Sequence, residues 1–286
     1  MAGSAVCFSV MAALVKVAAA RIPNQEIVTL RSLAALVSVS VLLRWRRVPL
    51  RIHRPGALLV RALLGYTALS CWFLAIGRLS LSDAVMIQYT SPVFVALIAP
   101  LALGEKTRPR DRAALAVALA GVVLVVRPGF GIDAGGAMIG LTGAICSATA
   151  YVLVRWLRQY EHPLIIMLAF PVVATLVGSA VAAPQWVWPE VRDWMILAGI
   201  CLLTVAGQLG LTFGLVWERA GPATVATYLA VAVSIPVSIV AFGEWPDRLM
   251  ILGGLMVVGS VASLALTTHK PVPPPTGAGG AQVASS

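Results

Sequence analysis

The chain has 286 residues, of which 59% are hydrophobic and only 11% charged, with a mean hydropathy of +0.92; soluble domains carry about 25% charged residues. A water-soluble globule of this size cannot bury so much apolar surface, which excludes a soluble enzyme. The net charge of +10 does not mark a nucleic-acid binder, because Arg and Lys stand in short runs between apolar blocks, the pattern of a multi-pass membrane protein.

A helix that crosses a bilayer needs about 20 apolar residues. Taken in chain order, spans are expected at residues 2–20, 25–43, 56–76, 82–103, 112–127, 136–156, 164–183, 194–216, 223–242 and 248–267. These ten transmembrane helices predict an all-α integral membrane protein. No basic region precedes the first span, so it reads as a membrane helix rather than a signal peptide. Breaks fall where turn residues cluster, at Ile22-Pro23-Asn24, Arg54-Pro55-Gly56, Gly104-Glu105-Lys106, Arg127-Pro128-Gly129 and Ala220-Gly221-Pro222. Residues 268–286 are rich in Pro, Gly and Ala and predict a disordered cytoplasmic tail.

Arg and Lys gather on the cytoplasmic side of membrane proteins. One set of alternate segments holds thirteen of them, including Arg44, Arg46, Arg47, Arg51, Arg54, Arg155 and Arg158. The other holds five, Arg21, Arg78, Arg127, Arg192 and Arg248, together with Trp186, Trp188 and Trp194, which suit an outer aromatic belt. Both termini are therefore expected in the cytoplasm. Cys7, Cys71, Cys146 and Cys201 each lie inside an apolar block and read as packing residues, with no metal-ligating spacing.

An internal repeat follows from sliding the chain against itself by 139 residues, which pairs Cys7 with Cys146, Lys16 with Arg155, Ala84 with Ala223, Tyr89 with Tyr228, Gly104 with Gly243 and Glu105 with Glu244. Each half holds five spans, an odd number, so the second half enters the membrane inverted. Inverted repeats belong to secondary transporters, whose solute site lies near the midplane between the halves. Pro92 and Pro100 in the fourth span and Pro236 in the ninth predict kinks there.

These residues carry a family resemblance. Lys16, Arg31, the stretch from Asp83 through Tyr89 to Pro92, the pairs Gly104-Glu105 and Gly243-Glu244, and Gly121 with Val125 to Gly129 resemble the EamA family of the drug/metabolite transporter superfamily along nearly the whole chain. Asp83-Ala84-Val85 and Gly207-Gln208 look most like a bacterial subgroup that includes S-adenosylmethionine and riboflavin uptake permeases. The resemblance implies a ten-helix permease of the bacterial inner membrane, surrounded by lipid and acting as monomer or homodimer. It would move a small metabolite such as an amino acid or a derivative of one. Residues 1–127 would form the first repeat and 136–267 the second. No catalytic constellation or phosphate-binding glycine loop is present, so neither an enzyme nor a cofactor is expected. A lipid-moving or non-transport scaffold is the alternative.

Ionisable groups inside spans are functional candidates by default. Lys16 and Arg31 flank the Pro23 turn at similar distances, and two close cations need an anion between them. That anion is either Glu26 or Asp83, making a structural cluster, or a carboxylate or phosphate of the solute. Arg61 and Arg155 stand near cytoplasmic helix ends and are expected to snorkel to water. Tyr89 and Tyr228 occupy matching places in the kinked spans, and Tyr66, Trp72 and Tyr151 combine an apolar body with a polar tip suited to a pocket. Gln88 needs a partner, either a helix or the solute. Glu105 and Glu244 are expected to tie helix ends to loops.

Overall fold

A computed structural model describes residues 2–103, 109–126, 133–217 and 220–267, and among these it contains helices and no strands. The helices are α1 (Ala2–Ala19), α2 (Asn24–Trp45), α3 (Pro55–Arg78), α4 (Leu81–Gln88), α5 (Ser91–Leu103), α6 (Pro109–Val126), α7 (Ala134–Leu157), α8 (Pro163–Ala182), α9 (Val191–Trp217), α10 (Ala220–Phe242) and α11 (Arg248–Thr267). Six segments among the described residues are long and apolar enough to cross a membrane, α4 and α5 counting as one stretch, and α1 and parts of α10 and α11 are shorter apolar helices. Large apolar side chains face outward, with Leu101 84% and Val240 87% exposed. That is the inverse of a soluble surface and fits contact with lipid. Gly104-Glu105, Arg127-Pro128-Gly129, the side chain of Tyr228 and the tail 268–286 lie outside the described residues.

The kink expected in the fourth span is a break. Pro92 has no N–H, and its ring would clash with the carbonyl four residues earlier, that of Gln88. Gln88 is accordingly the last residue of α4, and α5 starts at Ser91. The Thr90 hydroxyl donates to the Ile87 carbonyl at 2.6 Å, satisfying an acceptor at the break. Ser80 starts α4 with a reciprocal cap, its Oγ accepting from the Asp83 N–H at 3.0 Å and donating to Asp83 Oδ2 at 2.7 Å.

Packing is dominated by a few helix pairs: α3 with α7, α6 with α11, α2 with α8, and α1 with both α9 and α10. Smaller contacts join α3 to α8, α2 to α9, α7 to α4 and α5, and α4 to α10. The main core lies where α1, α3 and α4 meet, around Met11, Phe73, Ile76, Leu81 and Ile87. A second cluster of Leu58, Leu157, Ile165 and Ile166 joins the start of α3, the end of α7 and the start of α8. Those three termini therefore share one face of the molecule.

Candidate functional site

The break between α4 and α5 places Gln88 and Tyr89 opposite α7. Gln88 Nε2 donates to Ser147 Oγ at 3.0 Å, while its Oε1 is buried with no partner. One turn on from Ser147, Tyr151 is 56% exposed and lies within electrostatic reach of both Tyr89 and Arg61. Trp72 stands on α3 where that helix crosses α7 at Gly143, and its indole Nε1 is likewise buried without a partner. Four of the residues expected to line a pocket, Gln88, Tyr89, Tyr151 and Trp72, thus belong to one region at the meeting of α3, α4 and α7. Unpaired buried donors and acceptors cost free energy and favour a group that pairs with them.

Tyr66 belongs elsewhere. Its hydroxyl donates to Gln25 Oε1 at 2.9 Å, the same oxygen that Ser70 approaches at 3.4 Å, so it ties α3 to α2. Gln25 is a polar partner that the sequence does not single out.

Lys16 and Arg31 do not share an anion. Lys16 Nζ donates to the Leu79 carbonyl at 2.9 Å, lies 5.1 Å from the centre of the Phe242 ring, and forms an ion pair with Glu244. The counter-ion is neither Glu26 nor Asp83: Glu26 accepts from the Val187 N–H at 3.2 Å, and Asp83 caps α4. The chemistry of the Gly-Glu motif becomes plain here. Gly243 takes a left-handed turn, φ +67°, after the end of α10, and the N–H groups of Gly243 and Glu244 close back on the Ile239 and Ser238 carbonyls. Only glycine adopts that backbone readily. The turn aims Glu244 back at the bundle, where Oε2 accepts from the Leu81 N–H and the Ser238 hydroxyl, each at 2.9 Å. Glu244 thereby ties the end of α10 to the start of α4 rather than to a loop, and also neutralises a lysine of α1.

Arg31 is buried where α2, α3 and α9 meet. Its Nε donates to Thr204 Oγ1 at 3.2 Å and its guanidinium lies 5.6 Å from the centre of the Phe73 ring. This arrangement holds Arg31 within the helix core.

At the face shared by α3, α7 and α8, Glu161 accepts from the backbone N–H groups of His53 and Arg54 at 2.5 and 2.6 Å, with His53 Nδ1 at 3.5 Å. Burial alone would raise its carboxyl; those donors outweigh burial and hold it below the usual carboxylate range. Arg54 stacks on Tyr160 at 5.0 Å. This polar cluster gathers where the basic bias of the sequence expects the cytoplasmic surface.

The model of the EamA-like transporter family matches residues 1–127 and 134–266. A pseudopaline exporter of Pseudomonas aeruginosa, CntI, is 34% identical over 265 residues, covering 92% of this chain and 93% of that protein. Human solute carrier family 35 member G1 is 30% identical over 227 residues, 73% of this chain and 62% of its own. A riboflavin transporter of Rhizobium johnstonii is 24% identical over 230 residues, 79% of this chain and 76% of that one. One solved crystal structure at 19% identity matches with a TM-score of 0.62 over 94% of this chain and 98% of its own, a likeness of fold.

Proposed function

The chain belongs to the EamA-like transporter family, and from that membership we propose that it is a secondary transporter of the bacterial inner membrane, built of two inverted five-helix repeats that expose a central solute site to each side in turn. The observation that carries this reading is the symmetry of the packing. Exchanging α1 with α7, α2 with α8, α3 with α9, the α4–α5 pair with α10, and α6 with α11 turns the α3/α7 contact into α9/α1, and α3/α8 into α9/α2. It turns α7 against α4–α5 into α1 against α10, and maps α2/α8, α6/α11 and α4/α10 onto themselves; all of these pairs are in contact. Such a set of contacts supports two equivalent halves that can rock about a shared centre. Gln88, Tyr89, Tyr151 and Trp72 are the side chains we assign to the solute site, because they bring hydrogen-bonding atoms and rings together in an otherwise apolar bundle. The solute is a small metabolite, and lipid is the surrounding medium.

Two measurements test this. Metabolite profiling of a deletion strain against an overexpressing strain, in cells and in medium, is expected to show one small metabolite or a related set redistributed in opposite directions; identical profiles would defeat the transporter reading. Inversion is tested by single cysteines at Arg47 and Gln185, near the ends of the matched helices α2 and α8. Position 47 is expected to react with an impermeant reagent only from the cytoplasm and position 185 only from outside, and reaction of both from one side would refute the repeat.

A further inference from the structure

Arg61 does not snorkel. It lies on α3 six residues past Pro55, about 9 Å along the helix from its start. The sequence leads one to expect its side chain to run back toward the water at that end. Instead its Nη1 lies 3.4 Å from where a Cβ would stand on Gly65, one turn further into the helix, and the guanidinium sits 5.6 Å from the centre of the Phe170 ring. Gly65 makes this possible: a Cβ there would meet Phe170 Cδ2 at 2.9 Å, so the missing side chain leaves the slot in which the ring and the guanidinium lie.

Among the described residues, the Phe170 ring alone compensates the charge in that slot, and only in part. Arg61 Nε and Nη1 are buried with no hydrogen-bond partner, and among the described residues no carboxylate stands within ion-pair distance of it. An arginine cannot shed its proton to relieve the cost. A ring face offsets part of the lost hydration, but it supplies no acceptor in the plane of the guanidinium where the N–H groups point. The residue is only in part closed off, although Nε and Nη1 themselves are buried. Arg61 as a whole is half-buried, and the exposed Tyr151, in electrostatic reach of Arg61, is in reach of Tyr89 at the α4–α5 break as well. Phe170 on α8 and Tyr151 on α7 stand at comparable distances from the ends of their helices that share the Glu161 face, so all three side chains lie at one depth.

We infer that Arg61, with Phe170 against its guanidinium, is the anion-recognition point of the solute site, and that the transported solute carries a carboxylate or a phosphate. The inference rests on the transporter reading and names its substrate class. Arg fits this task because its fork of N–H groups matches the two oxygens of such an anion. Nε and Nη1 are the two nitrogens of that fork left without a partner.

The test uses the full chain reconstituted in liposomes. A bacterial small-molecule extract is split on an anion exchanger at about pH 11, where amino groups are neutral and amino acids are retained with other carboxylates and phosphates, and uptake from the retained and flow-through fractions is read by mass spectrometry against protein-free liposomes. Wild-type protein is expected to take up one or more compounds of the retained fraction. Arg61→Gln should cut that uptake about tenfold or more, and Arg61→Lys should restore part of it, since a charged hydrogen bond to an anion is lost in the first and weakened in the second. Pretreating the retained fraction with alkaline phosphatase separates the anions: uptake that disappears assigns a phosphate monoester, and the mass of a compound whose uptake survives shows whether it holds a carboxylate or a phosphodiester. Wild-type uptake confined to the flow-through fraction would overturn the inference while leaving a transporter, and that result needs no variant to fold. Equal uptake of a retained compound by wild type and a monodisperse Arg61→Gln would overturn it too. No uptake from either fraction would instead strike at the transporter reading, and this inference would fall with it.

Discussion

Replacing Glu244 with alanine is expected to lower the stability of the detergent-solubilised protein by about 2–3 kcal/mol, somewhat less than the roughly 3–5 kcal/mol typical of breaking a fully buried pair. The discount reflects exposure: the Lys16 and Glu244 side chains retain 15% and 27% of their accessible surface. Three donors lose their acceptor at once, the Lys16 ammonium, the Leu81 N–H and the Ser238 hydroxyl. A lysine left half-buried beside Phe242 without a counter-ion carries most of the cost. Removing both charges, as Lys16→Met with Glu244→Leu, is expected to recover much of the loss, because the penalty lies in the unpaired charge rather than in the absence of a pair. The pH dependence has a definite sign. Burial alone would raise the Glu244 carboxyl; Lys16, Leu81 and Ser238 outweigh it and hold the carboxyl below the usual range. Its stabilising contribution is therefore complete above the ordinary carboxylate range and is lost as pH falls through its lower folded value. Melting curves across that acid range should show a step in the wild type that is absent in Glu244→Gln. Equal melting of wild type and Glu244→Ala near neutral pH would remove the pair from the account of what joins α1, α4 and α10.

The positions of the helices were legible because each apolar block ends in a turn signal that has one physical meaning. Pro55 and Pro163 begin helices whose first N–H groups need no partner, and Asp133 caps α7 by accepting from the Gly135 and Gly136 N–H groups at 3.0 Å. The fourth span was legible as kinked but not as divided. That difference lies in the side chains around Pro92: Thr90 turns its hydroxyl onto the Ile87 carbonyl and lets the chain leave helical geometry.

Partners across the bundle were harder to read. Lys16 and Glu244 stand far apart in sequence, and the repeat offset that finds Glu244 aligns it with Glu105, not with a lysine. The basic bias nevertheless puts the end of α1 and the end of α10 on one side of the membrane, and that is the signal from which the pair was available. For Arg61 the misleading cue was its nearness to a helix end. Gly65 one turn later was visible in the sequence, but the ring of Phe170 that fills its slot comes from α8, and no local pattern links the two. Tyr66 shows the reverse: an aromatic residue with a polar tip that meets Gln25 on the neighbouring helix and so serves packing.

Gly253 is the position where the smallest change is expected to do the most harm to the α6–α11 pair. The two helices approach so closely that a Cβ on Gly253 would stand 2.6 Å from the Gly121 carbonyl oxygen, 2.9 Å from Leu124 Cβ and 2.9 Å from the Val125 nitrogen. In return, a Cβ on Gly121 would stand 2.8 Å from the Gly253 carbonyl oxygen. Two of the obstacles to a Gly253 side chain are backbone atoms of a continuous helix, so relief requires the helices to separate. Separation would uncover Ala118, Val122, Val125, Val257 and Val261, which this seam buries. Overpacking of a tight interior costs about 1–3 kcal/mol; Gly253→Ala is expected near the top of that range and Gly253→Val beyond it. Gly259, on the same helix, supplies the control, since a Cβ there meets nothing within 4 Å. Gly259→Ala is expected to be neutral or to stabilise by up to about 1 kcal/mol through helix propensity. Thermal melting followed by size-exclusion chromatography of the three variants separates the close approach from a general sensitivity of α11. If Gly253→Ala melts with the wild type, the contact between the two glycines does not hold α6 against α11, and these helices must be joined by their valines alone.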